Sequence, residues 1–498
     1  MEKDSLEDHP IDKVFDKIPL WVWIFLLSVI NYVSFDTWPN EENNFTMARH
    51  FLNPDWLPDS FSLQQWPGTN FIYWSVAGVG LKVLNFGQLA FWTRLINYLL
   101  YAFPLTKIFK ELKISPLAVL ILLQIFFFKQ EYMAGEWIWK GFEGKTLAYL
   151  FIFWSLYFLL KSSYYKVAVF AALATYCHVL VGGWYFVGIG IFLLIYRFPL
   201  SKIFRISLLY TIIVLPFIVY LGNYVLSGDS VDSDPSANWI YVFYRNRHHL
   251  VPTMKDHFWQ NDWPFVALMV LSLGLMIKRW FQNELHHKIS LLIVSFNFII
   301  LTGLLLTYLD QEGTFLKFYV LRMTSISLFL ELILITVFLI NKVKADRNYL
   351  TALSVLQTIV LLIMAYFGLQ QNLKDWEYTK NEQAYDKFVS FAKANSDSTD
   401  KFCFINYKDK RENVRFIADA DRDRLVSYKM VPEGDIAILE WYNRIQERDK
   451  VANDVSGFAD LSKKYDLKFL VSKVPVENES KLELIYENEI YFMYELRR

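Results

Sequence analysis

The 498-residue chain is 54% hydrophobic and 18% aromatic, with 50 basic and 50 acidic side chains and two cysteines. A formal charge of zero excludes the broad basic surface on which nucleic-acid binding depends. That zero averages unlike parts, because 47 of the 100 charged residues fall in the last 128 positions and the first 370 are correspondingly apolar.

Residues 1–17 mix both charges without a short apolar core and small-residue cleavage site, so a cytoplasmic tail is expected and not a cleaved signal. Apolar runs then recur at about 18–35, 70–86, 88–105, 115–129, 146–160, 165–181, 182–196, 205–225, 263–278, 288–307, 318–341 and 350–369. A hydrocarbon layer of about 30 Å takes about 20 helical residues, and most of these runs approach that length. If all twelve crossed, basic clusters such as Lys107/Lys110/Lys113, Lys161/Lys166 and Arg197/Lys202/Arg205 would face outward, against the positive-inside rule. Laying the run 70–86, broken by Gly78 and Gly80, in the membrane interface returns the basic clusters to the cytoplasmic side. The fold expectation is an α-helical polytopic membrane protein of about eleven transmembrane helices over 18–370, with a long first outer loop at 36–87. A soluble α/β domain follows at 375–498, outside the cytoplasmic (inner) membrane. Tryptophans including Trp137, Trp139, Trp184 and Trp263 are expected to form an interfacial belt.

In the tail, KFCFINY and LKFLVSK read as strands, and AILEWYNRIQERD reads as a helix with Ile438, Leu439, Trp441, Tyr442 and Ile445 on its apolar face. LELIYENEIYFMYEL reads as two strands about a turn at 487–489. Cys177, inside an apolar run, and Cys403, in the tail, are not expected to pair, and no Cys/His spacing suggests zinc. No P-loop, dinucleotide glycine pattern, nucleophile elbow or HExxH occurs.

The outer loops hold the candidate chemistry, set against the plain alternative of a solvated rim. Glu41, Glu42 and Asp59 of the first loop are candidate catalytic carboxylates, able to act as a general base or to hold a divalent cation such as Mg or Mn. Arg245, Arg247 and His248 of the 226–262 loop, with Arg322 at the start of a later apolar run, are candidates for gripping a donor phosphate. A guanidinium at the depth expected for Arg322 needs a carboxylate or a ligand phosphate. Glu136, Lys140 and Glu143 in KQEYMAGEWIWKGFEGK and His178 in TYCHVLVGGW are secondary candidates. Gly182 and Gly183 permit close helix approach, so packing competes with chemistry for His178.

WPNEENNFTMARHFL is similar to the Trp-x-Pro-Asp-Glu...Ala/Ser-Arg pattern of the protein mannosyltransferase and aminoarabinose transferase branch of the GT-C glycosyltransferases. Glu41 matches its Glu and Arg49 its Arg, and Asn40 stands where that branch has Asp. NFIYWSVAGVGLKVLNFGQLAFWTRLINYLL resembles the interfacial and second spanning helices of that fold. A closer likeness, to bacterial multi-pass relatives of these enzymes, rests on NPDWLPDSF, on FEGKTLAYLFIF followed by ATYCHVLVGGW, and on RLVSYKMVPEGDIAILEWYNRI. The resemblance implies transfer of a sugar from a polyprenyl-phosphate-linked donor to a glycan, lipid or protein acceptor on the extracytoplasmic side of the bilayer. The alternatives are a polysaccharide polymerase or ligase, and a non-enzymatic transporter or assembly factor. The folded tail argues against the first, and the lack of internal repeats or mid-membrane charges against the second.

Overall fold

The computed structural model describes residues 15–65, 68–227, 231–254, 258, 262–277, 283–343, 347–374, 380–405, 410–476 and 481–497. Most of the expected tail 1–17 and the expected boundary at 375 therefore lie outside the described residues. The chain forms two compact units, one of residues 1–34, 91–220 and 246–375, the other of 35–90, 221–245 and 376–498.

In chain order the helices of eight or more residues begin with α1 (Leu20–Tyr32), α2 (Pro39–Leu52), α3 (Phe71–Gly80), α4 (Phe86–Glu111), α5 (Pro116–Lys129) and α6 (Gly144–Leu160). They continue with α7 (Tyr164–Cys177), α8 (Val179–Ile195), α9 (Leu200–Ser227), α10 (Trp263–Ile277), α11 (Glu284–Leu309), α12 (Thr324–Val343) and α13 (Arg347–Lys374). The tail adds α14 (Lys380–Ala394), α15 (Lys410–Ala420), α16 (Asp435–Asn453) and α17 (Phe458–Tyr465). Each apolar run lies on a helix. Among the described residues, three stretches are long and apolar enough to cross a membrane, Leu200–Asn223, Glu284–Leu309 and Leu316–Ile340. Helices α1, α5, α6 and α8 are apolar but shorter, at 13, 14, 17 and 17 residues. At ten residues α3 rises only about 15 Å, too little for a hydrocarbon layer.

The break between α7 and α8 falls at His178, in extended conformation, and not between 181 and 182. Gly182 is the reason α8 can fold back on α7, since a Cβ there would run into the Thr175 backbone, whereas a Cβ on Gly183 would meet nothing.

Trp139 does not face outward. It is fully buried in the first unit, with its ring 5.2 Å from Tyr101, 5.2 Å from Phe127 and 5.5 Å from Phe153, and its Nε1 donates to Ser28 Oγ at 3.2 Å. Trp137 is buried too, while Trp263 is exposed, so the tryptophans expected as a belt divide between core and surface. Polar pairs lock the helices elsewhere in this unit. Asn31 and Gln124 exchange side-chain bonds of 3.1 and 3.0 Å between α1 and α5, and Asn372 of α13 donates to the carbonyls of Ile30 and Val33, both at 3.1 Å.

The second unit holds a five-stranded sheet in the order β2-β1-β3-β5-β4, from β1 (Lys401–Ile405), β2 (Asp423–Arg424), β3 (Leu467–Ser472), β4 (Leu482–Glu487) and β5 (Phe492–Leu496). Strand β1 runs parallel to β2 and β3, and β5 pairs antiparallel with β3 and β4. Both faces are buried, as a parallel strand between helix layers requires. Along β1, Phe402 and Phe404 join a core with Phe388 and Phe416, while Cys403 and Ile405 join Trp441, Ile445 and Leu461 on the other face. The strands and helix expected for the tail are all present. Two-residue β2 was hidden in the charged run DADRDRLVSYK, and Cys177 and Cys403 are both free and buried.

Candidate functional site

The first unit contains a buried cluster of ions built from residues 130–145, His178, His249 and the segment 310–322. After α5 the chain turns sharply, and Met133 and Gly135 take φ of 64° and 63°. The non-glycine reversal at Met133 is strained, and its N–H is pinned by Asp262 Oδ1 at 2.9 Å. Gln130 Oε1 then accepts the N–H groups of Ile138 and Trp139, both at 2.9 Å. These ties hold the intervening Glu136, whose side chain is 2% exposed. The segment 310–322 is shaped by Asp310, whose carboxylate accepts from the backbones of Thr314, Phe315 and Leu316 at 3.0, 2.7 and 2.8 Å. Tyr319 turns through φ 53° and Arg322 follows, its guanidinium 4.2 Å from the Tyr319 ring.

Arg322 Nη1 donates to Glu136 Oε2 at 3.1 Å, and Lys145 Nζ, on the first turn of α6, stands 3.7 Å from the same oxygen and 3.7 Å from Glu143 Oε2. The Lys145 ammonium also lies 3.7 Å from the Trp137 ring centre. His249 Nδ1 is 2.7 Å from the Ala134 carbonyl and 4.0 Å from Glu136 Oε1. Burial pushes the Glu136 carboxyl upward, but Arg322, Lys145 and the two imidazoles His249 and His178 outweigh it and hold the group at about 2. Burial, partly opposed by Glu136, lowers His249 to about 4, so at neutral pH its Nδ1–H donates to Ala134 and Nε2 is left as an acceptor. His178 Nδ1 accepts from Val181 N at 3.4 Å, capping α8 and leaving its neutral ring to carry the proton on Nε2.

Two polar atoms near this cluster, Glu143 Oε1 and Tyr149 Oη, are buried and make no hydrogen bond. Tyr149 lies within electrostatic range of both Glu136 and Arg322. Both atoms are therefore polar groups turned toward the interior of the cluster.

Of the residues singled out from sequence, the fold brings together Arg322, Glu136, Glu143 and His178. Lys140 turns instead to Glu131 in an ion pair. Arg247 is exposed and donates to the Met254 carbonyl at 2.6 Å, and the ring of exposed His248 lies tilted at 4.0 Å from that of His249. Lys145, His249 and Tyr149 were missed as site residues. The signals for Lys145 and His249 were present in the FEGK motif and the RNRHH run, while nothing local marks Tyr149.

Glu41, Glu42, Asp59 and Arg245 belong to the second unit. Glu41 is fully buried and accepts from the Trp38 N–H at 2.8 Å at the start of α2, and Glu42 accepts from Thr37 Oγ1 at 2.8 Å. Arg49 pairs with Asp421 at 2.9 Å while stacking 4.1 Å from Trp56, which ties the first-loop residues to the tail within this unit. Arg245 donates to the Lys429 carbonyl at 3.2 Å. Asp59 is exposed at the rim of a cavity of about 280 Å³. Among the described residues no group of three or more His, Cys, Asp or Glu is placed to hold a metal ion, which leaves the expected Mg or Mn without a ligand set there.

Neither a protein-family model nor a curated protein sequence matches this chain.

One ionisable group stands inside an apolar stretch, against the expectation of no mid-membrane charges. Glu331, fully buried within the apolar stretch 316–340, accepts from Asn297 Nδ2 of α11 at 3.0 Å, and Ser327 donates to Asn297 Oδ1 at 2.6 Å. The three form a polar clamp between α11 and α12.

Proposed function

We propose that this protein is a membrane glycosyltransferase that takes its sugar from a polyprenyl-phosphate-linked donor, with eleven segments crossing the cytoplasmic membrane and the acceptor met on the outer side. The observation that carries this reading is the convergence of Arg322 and Lys145 on buried Glu136, at the entry to one of the longest apolar stretches. Two cations and two imidazoles gathered about one buried carboxylate are the kind of perturbed cluster that functional sites use. A donor phosphate oxygen accepts from Arg322 and Lys145 in place of Glu136, and those cations stabilise the charge it gains as the sugar departs.

Glu136, held at about 2, is a poor base while its cations remain. Glu143 is the better candidate, since its Oε1 is buried and unengaged. In this scheme the acceptor hydroxyl oxygen bonds to the anomeric carbon, the anomeric C–O bond to phosphate breaks with its electron pair on the phosphate, and Glu143 takes the hydroxyl proton. The test is transfer from a synthetic polyprenyl-phosphate sugar by the full-length protein in proteoliposomes. Arg322→Ala and Glu143→Gln are expected to lower transfer by about a hundredfold or more, the scale of one lost charge-stabilising donor. Wild-type rates in both variants would remove the proposal.

A further inference from the structure

We infer that the second unit carries a saccharide-binding cavity, distinct from the Glu136 cluster. The cavity, of about 280 Å³, lies at the amino ends of β1 and β3 and is bordered by the first-loop residues Asp59 and Phe61. That volume is just under the usual range of about 300–1,000 Å³ for small-molecule sites and suits a sugar ring better than an extended ligand.

The lining determines the ligand class. Four cations, Lys401, Arg424, Arg444 and Lys464, line it together with three carboxylates, Asp59, Asp423 and Asp466. A bare anion meets the carboxylates, and a bare metal ion meets the cations. A ring of hydroxyls satisfies both, because each hydroxyl donates to a carboxylate and accepts from a cation.

Part of the lining is fixed in advance. Asp423 is held by Ser60 Oγ at 2.6 Å, and Arg444 by Glu440 at 2.7 Å and the Leu425 carbonyl at 3.2 Å. The Arg444 guanidinium lies over the rings of Phe61 and Tyr465, at 4.0 and 4.6 Å, which fixes its direction at the cavity wall. Arg424 is 1% exposed, a buried guanidinium at the cavity wall. The side chains of Lys401 and Asp466 make no hydrogen bond or ion pair within the described residues, so both are available to a ligand. Fixed partners beside uncommitted ones are the pattern of a pre-formed site.

This inference stands without the transfer reading. The experiment uses the full-length protein in nanodiscs and saturation-transfer NMR with methyl glycosides of neutral, N-acetylated, amino and uronic sugars, with inorganic phosphate and glycine betaine as competitors. At least one glycoside is expected to receive saturation, and the double variant Lys401→Ala/Asp466→Ala to weaken it by about tenfold or more with unchanged circular dichroism. Binding by no glycoside, equal binding to the double variant, or binding of phosphate or betaine alone overturns the inference.

Discussion

Replacing Glu136 by Gln tests whether the buried cluster is held together by its charge. The substitution keeps the shape and one acceptor oxygen for Arg322 Nη1, but leaves Arg322 and Lys145 without the carboxylate that both approach within 3.1 and 3.7 Å. Two estimates of the loss agree. The carboxyl is moved from 4.5 to about 2, and at about 1.4 kcal/mol per unit this is roughly 3 kcal/mol of stability from the ionised form. Removing one partner of a buried ion pair costs about 3–5 kcal/mol. The folded value lies below the unfolded one, so this stabilisation is complete above about pH 4.5 and is lost as pH falls toward 2. The assay is denaturant unfolding of the protein in detergent at pH 7, followed by tryptophan fluorescence, which Trp137 and Trp139 report from beside the cluster. Glu136→Gln is expected to lose about 3 kcal/mol, and Glu136→Gln combined with Arg322→Gln to lose less than the two single losses together. A loss under about 1 kcal/mol, or strict additivity, would refute the reasoning.

The wild type should show the same dependence directly, with unfolding midpoints falling between pH 4.5 and 2 and Glu136→Gln flattening that fall. Gly182→Ala should destabilise by about 1–3 kcal/mol because its methyl meets the Thr175 backbone, while Gly183→Ala, which faces open space, should be neutral; equal thermal midpoints would contradict the fold at α7–α8. Glu331→Gln preserves the acceptor for Asn297 and should leave the melting temperature nearly unchanged, whereas Glu331→Leu strands Asn297 and should cost about 1–3 kcal/mol. Asp310→Ala removes the acceptor of three backbone N–H groups and should both destabilise and slow transfer, because Arg322 is delivered by that loop.

The helices were legible because apolar runs and their interruptions are local. The strands of the tail were legible for the same reason, down to the turn between β4 and β5. What periodicity cannot carry is partnership. Arg322 and Glu136 are 186 positions apart, and nothing in KQEYMAGEWIWKGFEGK states that Glu136 and Glu143 turn inward while Glu131 does not. The decision is made by Gln130, Asp262 and two reversed φ values, all products of tertiary packing. Trp139 misled for a related reason, since a tryptophan near an apolar run fits an interface or a core equally well until its indole finds Ser28. Glu41 and Glu42 were conspicuous because they are adjacent and follow the first helix. In the folded chain one caps α2 and the other accepts from Thr37.

The most direct test of the central claim is the affinity of the full-length protein for polyprenyl phosphate in nanodiscs, compared between wild type and Arg322→Ala. The account predicts saturable binding in the wild type, a loss of about tenfold or more in the variant, and no such loss with Arg247→Ala, whose side chain is spent on the Met254 carbonyl. Equal affinity of wild type and Arg322→Ala would contradict it.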